Sequence, residues 1–221
     1  MINMKNIAVI GLSSFGFYLC KSLSYLGYNI MAVEVKEEIV NQVKPFVRKA
    51  VIGDAKDKTF LMKLGITDFD TVVISVGSKL DVSVLITLYM KELNIKNIIA
   101  KAVNEDHAKI LEKIGATHIV FPERDLAEQM ANTISSPNFL KYIPLTEGFS
   151  LIEVTPPKEW RGKKLKDLML RNRYEIQIAM IREIIPERVV IPDGDFILKE
   201  SDILYIIGSD EHIRSLQKDI G

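Results

Sequence analysis

An α/β fold built on a doubly wound parallel sheet is predicted by three features of this chain. The stretch from Asn6 to Val35, NIAVIGLSSFGFYLCKSLSYLGYNIMAVEV, reads as strand, glycine turn, helix, strand and acid, the opening of a nucleotide-binding βαβ unit. Apolar runs of strand length then alternate with helical periodicity as far as Phe121. Thr71 to Val76 is almost wholly apolar, as a central strand covered on both faces must be. The first part is therefore Rossmann-like. Beyond it a helix and a small α+β lobe are expected, dividing the chain into residues 1–121, 122–137 and 138–221.

The first strand is Ile7 to Ile10, stopped at Gly11. Phe15, Leu19, Leu23 and Leu26 recur at three- and four-residue spacing and predict a helix with one buried stripe, ended by Gly27. The next strand, Ile30 to Val33, stops at Glu34. Ile39 and Val43 mark a short helix closed by Pro45, and Ala50 to Ile52 is the third strand. Gly53-Asp54-Ala55 turns into a helix carrying Phe60, Leu61 and Leu64, ended by Gly65. After the strand Thr71 to Val76 and the turn Gly77-Ser78, Val84, Leu85, Leu88 and Leu93 line a helix. Ile98 to Ala100 is the fifth strand, Ala108 to Ile114 lies on a helix closed by Gly115, and His118 to Phe121 is the sixth strand.

Pro122 starts a different pattern. Leu126, Met130 and Ile134 mark a helix that Ser135-Ser136-Pro137 ends. Four β-like runs follow, Phe149 to Val154, Ile176 to Ile181, Val189 to Ile191 and Ile203 to Ile207, with short helices near Leu165–Leu170 and Glu211–Lys218. A lobe of roughly 80 residues is large enough for its own core.

Composition narrows the function. Lysine and arginine balance aspartate and glutamate at 29 each, and no basic stretch is interleaved with aromatics, so nucleic acid is not an expected partner. The single cysteine, Cys20, builds neither a disulfide framework nor a thiolate metal site. The uncharged run Asn6 to Cys20 lacks an Ala-x-Ala-like cleavage site and falls short of the ~18 apolar residues of a transmembrane helix. A cytoplasmic location is expected. His107, His118 and His212 are scattered, with no i,i+4 pair for zinc. There is no Gly-x-Ser-x-Gly elbow, no Gly-Lys-Ser/Thr loop and no evident acid–base set, so a nucleotide is expected to be held rather than transformed.

The glycine turn departs from Gly-x-Gly-x-x-Gly, with Gly11, Ser13 and Gly16 in the three positions. A helix N-terminus behind it offers free N–H groups and a positive dipole to a phosphate. Ser13 trades close backbone approach for a hydroxyl. Glu34 follows Gly16 by eighteen residues, near the ~20 expected of an acid that holds a ribose 2′-OH. The alternative is a tight strand-to-helix turn with no ligand.

AVIGLSSFGFYLCKSL, then AVEV, GDA, VVISVG, Lys101-Ala102 and HIVFPERDLA resemble the RCK (regulator of potassium conductance, or KTN) family. WRGKKLKDLMLRNRYEIQIAMIR and IPDGDFILKESDILYIIG resemble that family's C-terminal domain, so the likeness covers nearly the whole chain. It is greatest to cytoplasmic subunits of Ktr/Trk-type potassium uptake systems. The resemblance implies a nucleotide-binding gating subunit without enzymatic activity. It also implies homodimers assembling into an octameric ring beneath a membrane potassium channel subunit, at the inner face of the cell membrane. ATP or ADP, and in some members NAD or NADH, would occupy the N-terminal site.

Carried over by position, Gly11, Ser13 and Gly16, with Ser14 and Phe15 in the same turn, would hold the phosphates and Glu34 the ribose. Asp54 and Ala55 would flank the adenine, Val76 and Gly77 line the pocket mouth, and Lys101 stand near the phosphates. Glu123 would bind a cation, magnesium, calcium or sodium, at the dimer interface. Close relatives often carry arginine where this chain has Ser14, which brings no charge to a terminal phosphate. In some relatives the C-terminal lobe binds cyclic di-AMP, and LMLRNRYEIQI, Leu168 to Ile178, matches the edge of that groove. Solvated arginines in a turn are the plainer account of Arg171 and Arg173. Two other functions stay open at the level of sequence: an NAD-dependent oxidoreductase, and a nucleotide sensor acting on another partner.

Overall fold

A computed structural model describes residues 6–134 and 138–220, and the chain divides into two compact units between Pro122 and Glu123. In the first unit, β1 (Asn6–Ile10), α1 (Ser14–Tyr25), β2 (Asn29–Glu34), α2 (Glu37–Val43), β3 (Lys49–Ile52), α3 (Lys58–Lys63), β4 (Thr71–Ile74), α4 (Leu80–Glu92), β5 (Asn97–Lys101), α5 (Glu105–Ile114) and β6 (His118–Val120) alternate along the chain. The strands form one parallel sheet in the order β3-β2-β1-β4-β5-β6. The order reverses at β1, so the C-terminal ends of β1 and β4 flank a crevice where such sheets bind ligands.

Successive side chains on a strand point to opposite faces, and here both faces are apolar. Ile7, Val9, Ile30, Ala32 and Val73 pack with Cys20 and Val43 of α1 and α2. Ala8, Ile10, Met31, Val33, Val72 and Ile74 pack with Leu61, Ile86, Met90 and Leu111 of α3, α4 and α5. Each fully buried aliphatic side chain contributes about 1.5–3 kcal/mol. Asp57 and Asn104 cap α3 and α5 by accepting the N–H of Phe60 and of His107 at 3.1 and 2.8 Å.

Two local expectations are revised. Leu26 is 72% exposed because α1 ends at Tyr25, where Gly27 turns the chain at φ +80°. The fully buried positions of α1 are instead Gly16 and Cys20, small residues that let the helix lie close to the sheet. Burial pushes the Cys20 thiol up to about 12, so it is an inert core group. The fourth strand stops at Ile74 and not at Val76, although Ser75 N–H still donates to Ile10 O at 2.7 Å.

The second unit holds α6 (Pro122–Ile134), β7 (Phe139–Thr146), β8 (Phe149–Val154), α7 (Leu165–Leu168), α8 (Leu170–Tyr174), β9 (Gln177–Glu183), β10 (Arg188–Val190), β11 (Ile203–Ser209) and α9 (Asp210–Ile220). Its strands form an antiparallel sheet in the order β10-β9-β11-β8-β7. The Ser135–Pro137 stop expected for α6 lies outside the described residues. β7 is an addition to the expected strands. Lys141 and Pro144 break its apolar alternation, which an edge strand tolerates, and its register slips beside Pro144. The helix expected at Leu165–Leu170 is split, because Met169 adopts φ +50°. Ile152, Val154, Trp160, Ile181, Leu204, Ile206 and Leu216 form the core of this lobe. The buried Glu183 carboxylate accepts from Arg188 and from Lys199 at its two oxygens, and these bonds hold it below the usual carboxylate range.

Candidate functional site

Four loops meet at the C-terminal edge of the parallel sheet. Gly11 follows β1 at φ +81°, and a Cβ there would lie 2.6 Å from the Ser75 carbonyl oxygen. Gly16 is equally confined, with Gly11 O 2.5 Å from any Cβ. The Ser13 N–H donates to Ser75 O at 3.2 Å, and the two serine hydroxyls lie 2.5 Å apart. The turn is thus tied to the end of β4, and the Ser13 hydroxyl is spent on Ser75 instead of capping α1. Ser14 is exposed and Phe15 half-buried against the α1 side of the core. α1 carries no acid in its first turn, which leaves the positive end of its dipole uncompensated.

Glu34 closes the other side. Its Oε2 accepts the Leu12 N–H at 2.8 Å, and its Oε1 accepts Val35 N–H at 2.9 Å and Lys36 N–H at 3.2 Å. A carboxylate offers about four acceptor positions, so little capacity remains, and a ribose diol would share or displace the longest bond. The Gly53 N–H donates to Glu34 O at 3.0 Å, joining the loop after β3 to the same point. Asp54 accepts Lys56 N–H at 3.0 Å, and the Lys56 ammonium stands 3.3 Å from the same carboxylate.

These loops enclose a cavity of about 300 Å³. Of the residues expected at the site, Gly11, Glu34, Asp54, Ala55 and Val76 line it. Gly77 comes next in the loop, at φ +71°. Ser13, Ser14, Phe15 and Gly16 stand in the turn beside the cavity without lining it. Lys101 is buried at the end of β5 and also stays off the wall. Glu123 is exposed in the first turn of α6, and no group of three metal-ligating side chains occurs among the described residues.

Several wall residues escaped the sequence reasoning. Val82 and Ile86 sit one turn apart on α4 and form the apolar wall, and Lys79 stands at the start of that helix. Their signal in the sequence was an i,i+4 apolar pair, which reads equally as core. Ser75 gave no signal. Beside the same helix, His107 Nε2 lies 2.7 Å from the Ser83 hydroxyl, its Nδ1 has no hydrogen-bond partner among the described residues, and burial holds the imidazole below its usual range.

The C-terminal lobe has two shallow cavities, of about 340 and 390 Å³, which share Arg171, Ile176 and Gln177. Arg171 donates to Gln177 Oε1 at 2.7 Å. Tyr174 is buried, with its hydroxyl donating to Asp219 at 2.8 Å, so its ring belongs to the core, while Arg171 and Asn172 line the first cavity. Among the described residues no helix is long and apolar enough to cross a membrane.

Residues 7–122 match the TrkA-N domain family and residues 149–221 the TrkA-C domain family. The chain is 41% identical over 214 residues to Ktr system potassium uptake protein C of Bacillus subtilis, covering 97% of this chain and 96% of that protein. It is 36% identical to Ktr system potassium uptake protein A of the same organism, covering 99% and 98%. Among solved structures, the GsuK channel superposes with a TM-score of 0.68 at 19% identity, over all of this chain and 40% of that longer one. The GsuK channel bound to NAD gives 0.54 at 21% identity, over 99% of this chain and 38% of that one, and both likenesses concern the fold. With two domain families matched in order and Ktr proteins similar from end to end, the chain belongs to the family of Ktr system potassium uptake proteins built from a TrkA-N and a TrkA-C domain.

Proposed function

We propose that this chain is a nucleotide-binding, non-enzymatic gating subunit of a potassium uptake system. The observation that carries it is the cavity walled by Gly11, Glu34, Asp54 and Val82 in a chain similar throughout its length to Ktr proteins. Adenine fits between the Asp54-Ala55 loop and the apolar face of α4, the ribose at Glu34, and the phosphates at the positive end of α1. ATP, ADP and NAD or NADH share these parts. Gly11, Ser13, Ser14, Phe15 and Gly16 form the phosphate turn, with Val76, Gly77 and Lys101 bordering it. Residues 1–121 hold the nucleotide, 122–137 form a crossover helix and linker, and 138–221 are the C-terminal regulatory part. A homodimer assembling into an octameric ring acts on a membrane channel subunit at the cytoplasmic face, and Glu123 holds a cation at the dimer axis. The exposed apolar stripe Leu126, Met130 and Ile134 on α6 supplies a surface for such assembly.

Potassium flux into vesicles carrying the membrane subunit tests this directly. Adding the purified chain should make flux respond to the choice of ATP, ADP or NAD, and Glu34→Ala should abolish the response. Flux indifferent to the chain and to every nucleotide would refute the proposal.

A second ligand, cyclic di-AMP, is proposed for the C-terminal lobe on the strength of Arg171 at the junction of the two cavities. A guanidinium grips a phosphate bidentately. Calorimetry on the full chain should show binding that Arg171→Ala weakens. Absence of heat at saturating ligand would remove this site.

A further inference from the structure

We infer that Lys79 is the cation that reads the phosphates of the ligand in the sheet-edge cavity, and so favours nucleotides over nucleosides there. The inference rests on the nucleotide site proposed above. Strand order places β4 beside β1, so the loop from Ser75 to Lys79 runs next to the glycine turn, and Lys79 lines the cavity with Gly11 and Glu34. Its backbone is held as the cap of α4, where its carbonyl accepts the Ser83 N–H at 3.1 Å. Its side chain makes no cap bond and has no ion-pair partner among the described residues. Asp81, the nearest acid along the chain, is exposed and forms no pair with it.

Lys56 and Lys79 are the lysines that line the cavity, and Lys56 is committed elsewhere. Lys56 is bound to Asp54 at 3.3 Å on the far wall, and Lys101 is buried off the wall. Ser14, at the head of α1, is neutral. A phosphate at the turn therefore meets the backbone N–H groups of α1 and, from the cavity wall, a lysine ammonium without an ion-pair partner among the described residues. An ammonium acts on phosphate as a compact point charge with three donors on a flexible stem, which suits an approach from the neighbouring loop.

The test is calorimetric titration of the full chain with ATP, ADP and adenosine. Lys79→Gln should weaken ATP and ADP about tenfold and change adenosine by less than about twofold, while Lys79→Arg restores ATP binding. The affinity of the wild type for ATP should fall more steeply with salt than that of Lys79→Gln. Equal losses for adenosine and ATP would make Lys79 a packing residue, and unchanged ATP affinity would make it a solvated charge. Either result overturns the inference while the nucleotide site stands. A wild-type chain that binds none of the three overturns the site itself.

Discussion

Glu34 Oε2 accepts the N–H of Leu12 at 2.8 Å, so the acid that ends β2 and the turn that follows β1 hold one another in place. The carboxylate is thereby aimed before any ligand arrives, and its role at the ribose and its role in shaping the turn are one arrangement. Charge-assisted hydrogen bonds of this kind contribute roughly 1.5–3 kcal/mol. Glu34→Ala should weaken adenine-nucleotide binding at least about tenfold with the far-ultraviolet circular dichroism unchanged. Equal calorimetric affinities for the two proteins would remove Glu34 from the site.

Met130 lies between Leu126 and Ile134 on one stripe of α6, and the three are 54%, 57% and 77% exposed. An apolar stripe of this sort is covered when a second copy packs on it. Met130→Glu should shift the chain from dimer or larger to monomer at micromolar concentration by light scattering, because a charge in an apolar contact goes unpaired. A wild-type monomer under the same conditions would show that the stripe mediates no self-association.

Glu123 occupies the first turn of α6, where the helix dipole favours an acid. Two such carboxylates brought together at a two-fold axis repel unless a cation lies between them. Magnesium, calcium or sodium should raise the melting temperature of the wild type and not of Glu123→Gln. Equal shifts for both would reduce Glu123 to a helix-start acid.

Burial lowers the His107 imidazole, so the folded state prefers it neutral. The stability tied to that preference is complete above the ordinary histidine pKa of ~6.5 and is lost as pH falls through the lower folded value. Melting should therefore decline by a few degrees on acidification from neutrality. His107→Gln should flatten that decline. A wild-type curve without a step in this window would mean that the ring is solvated.

The parallel sheet was legible because its causes are local. Apolar runs such as Ile7–Ile10 and Thr71–Ile74, broken by glycine turns and helical spacing, admit one class of packing. Glu34 was legible for the same reason, since it ends a strand at the edge where ligands bind, whereas Asp54, in the turn beyond β3, was placed by the family resemblance. β7 was not, because Lys141 and Pro144 erase the alternation and only pairing with β8 makes that segment a strand. Of the α1 stripe, Phe15, Leu19 and Leu23 do pack against the core, and its last residue alone was misplaced by side-chain volume. Counting large residues pointed to Leu26, whereas close packing selected Gly16 and Cys20.

Sequence by itself determined that a strand, a glycine turn, a helix and an acid recur in the order of a nucleotide site, and that a second lobe follows Pro122. The tertiary structure alone decided the company those residues keep. Ser13 meets Ser75 across 62 positions of chain, and Lys79, Val82 and Ile86 join Gly11 and Glu34, because β4 packs beside β1. That adjacency follows from burying both faces of the sheet at once, a condition on the whole chain that no short stretch of it encodes.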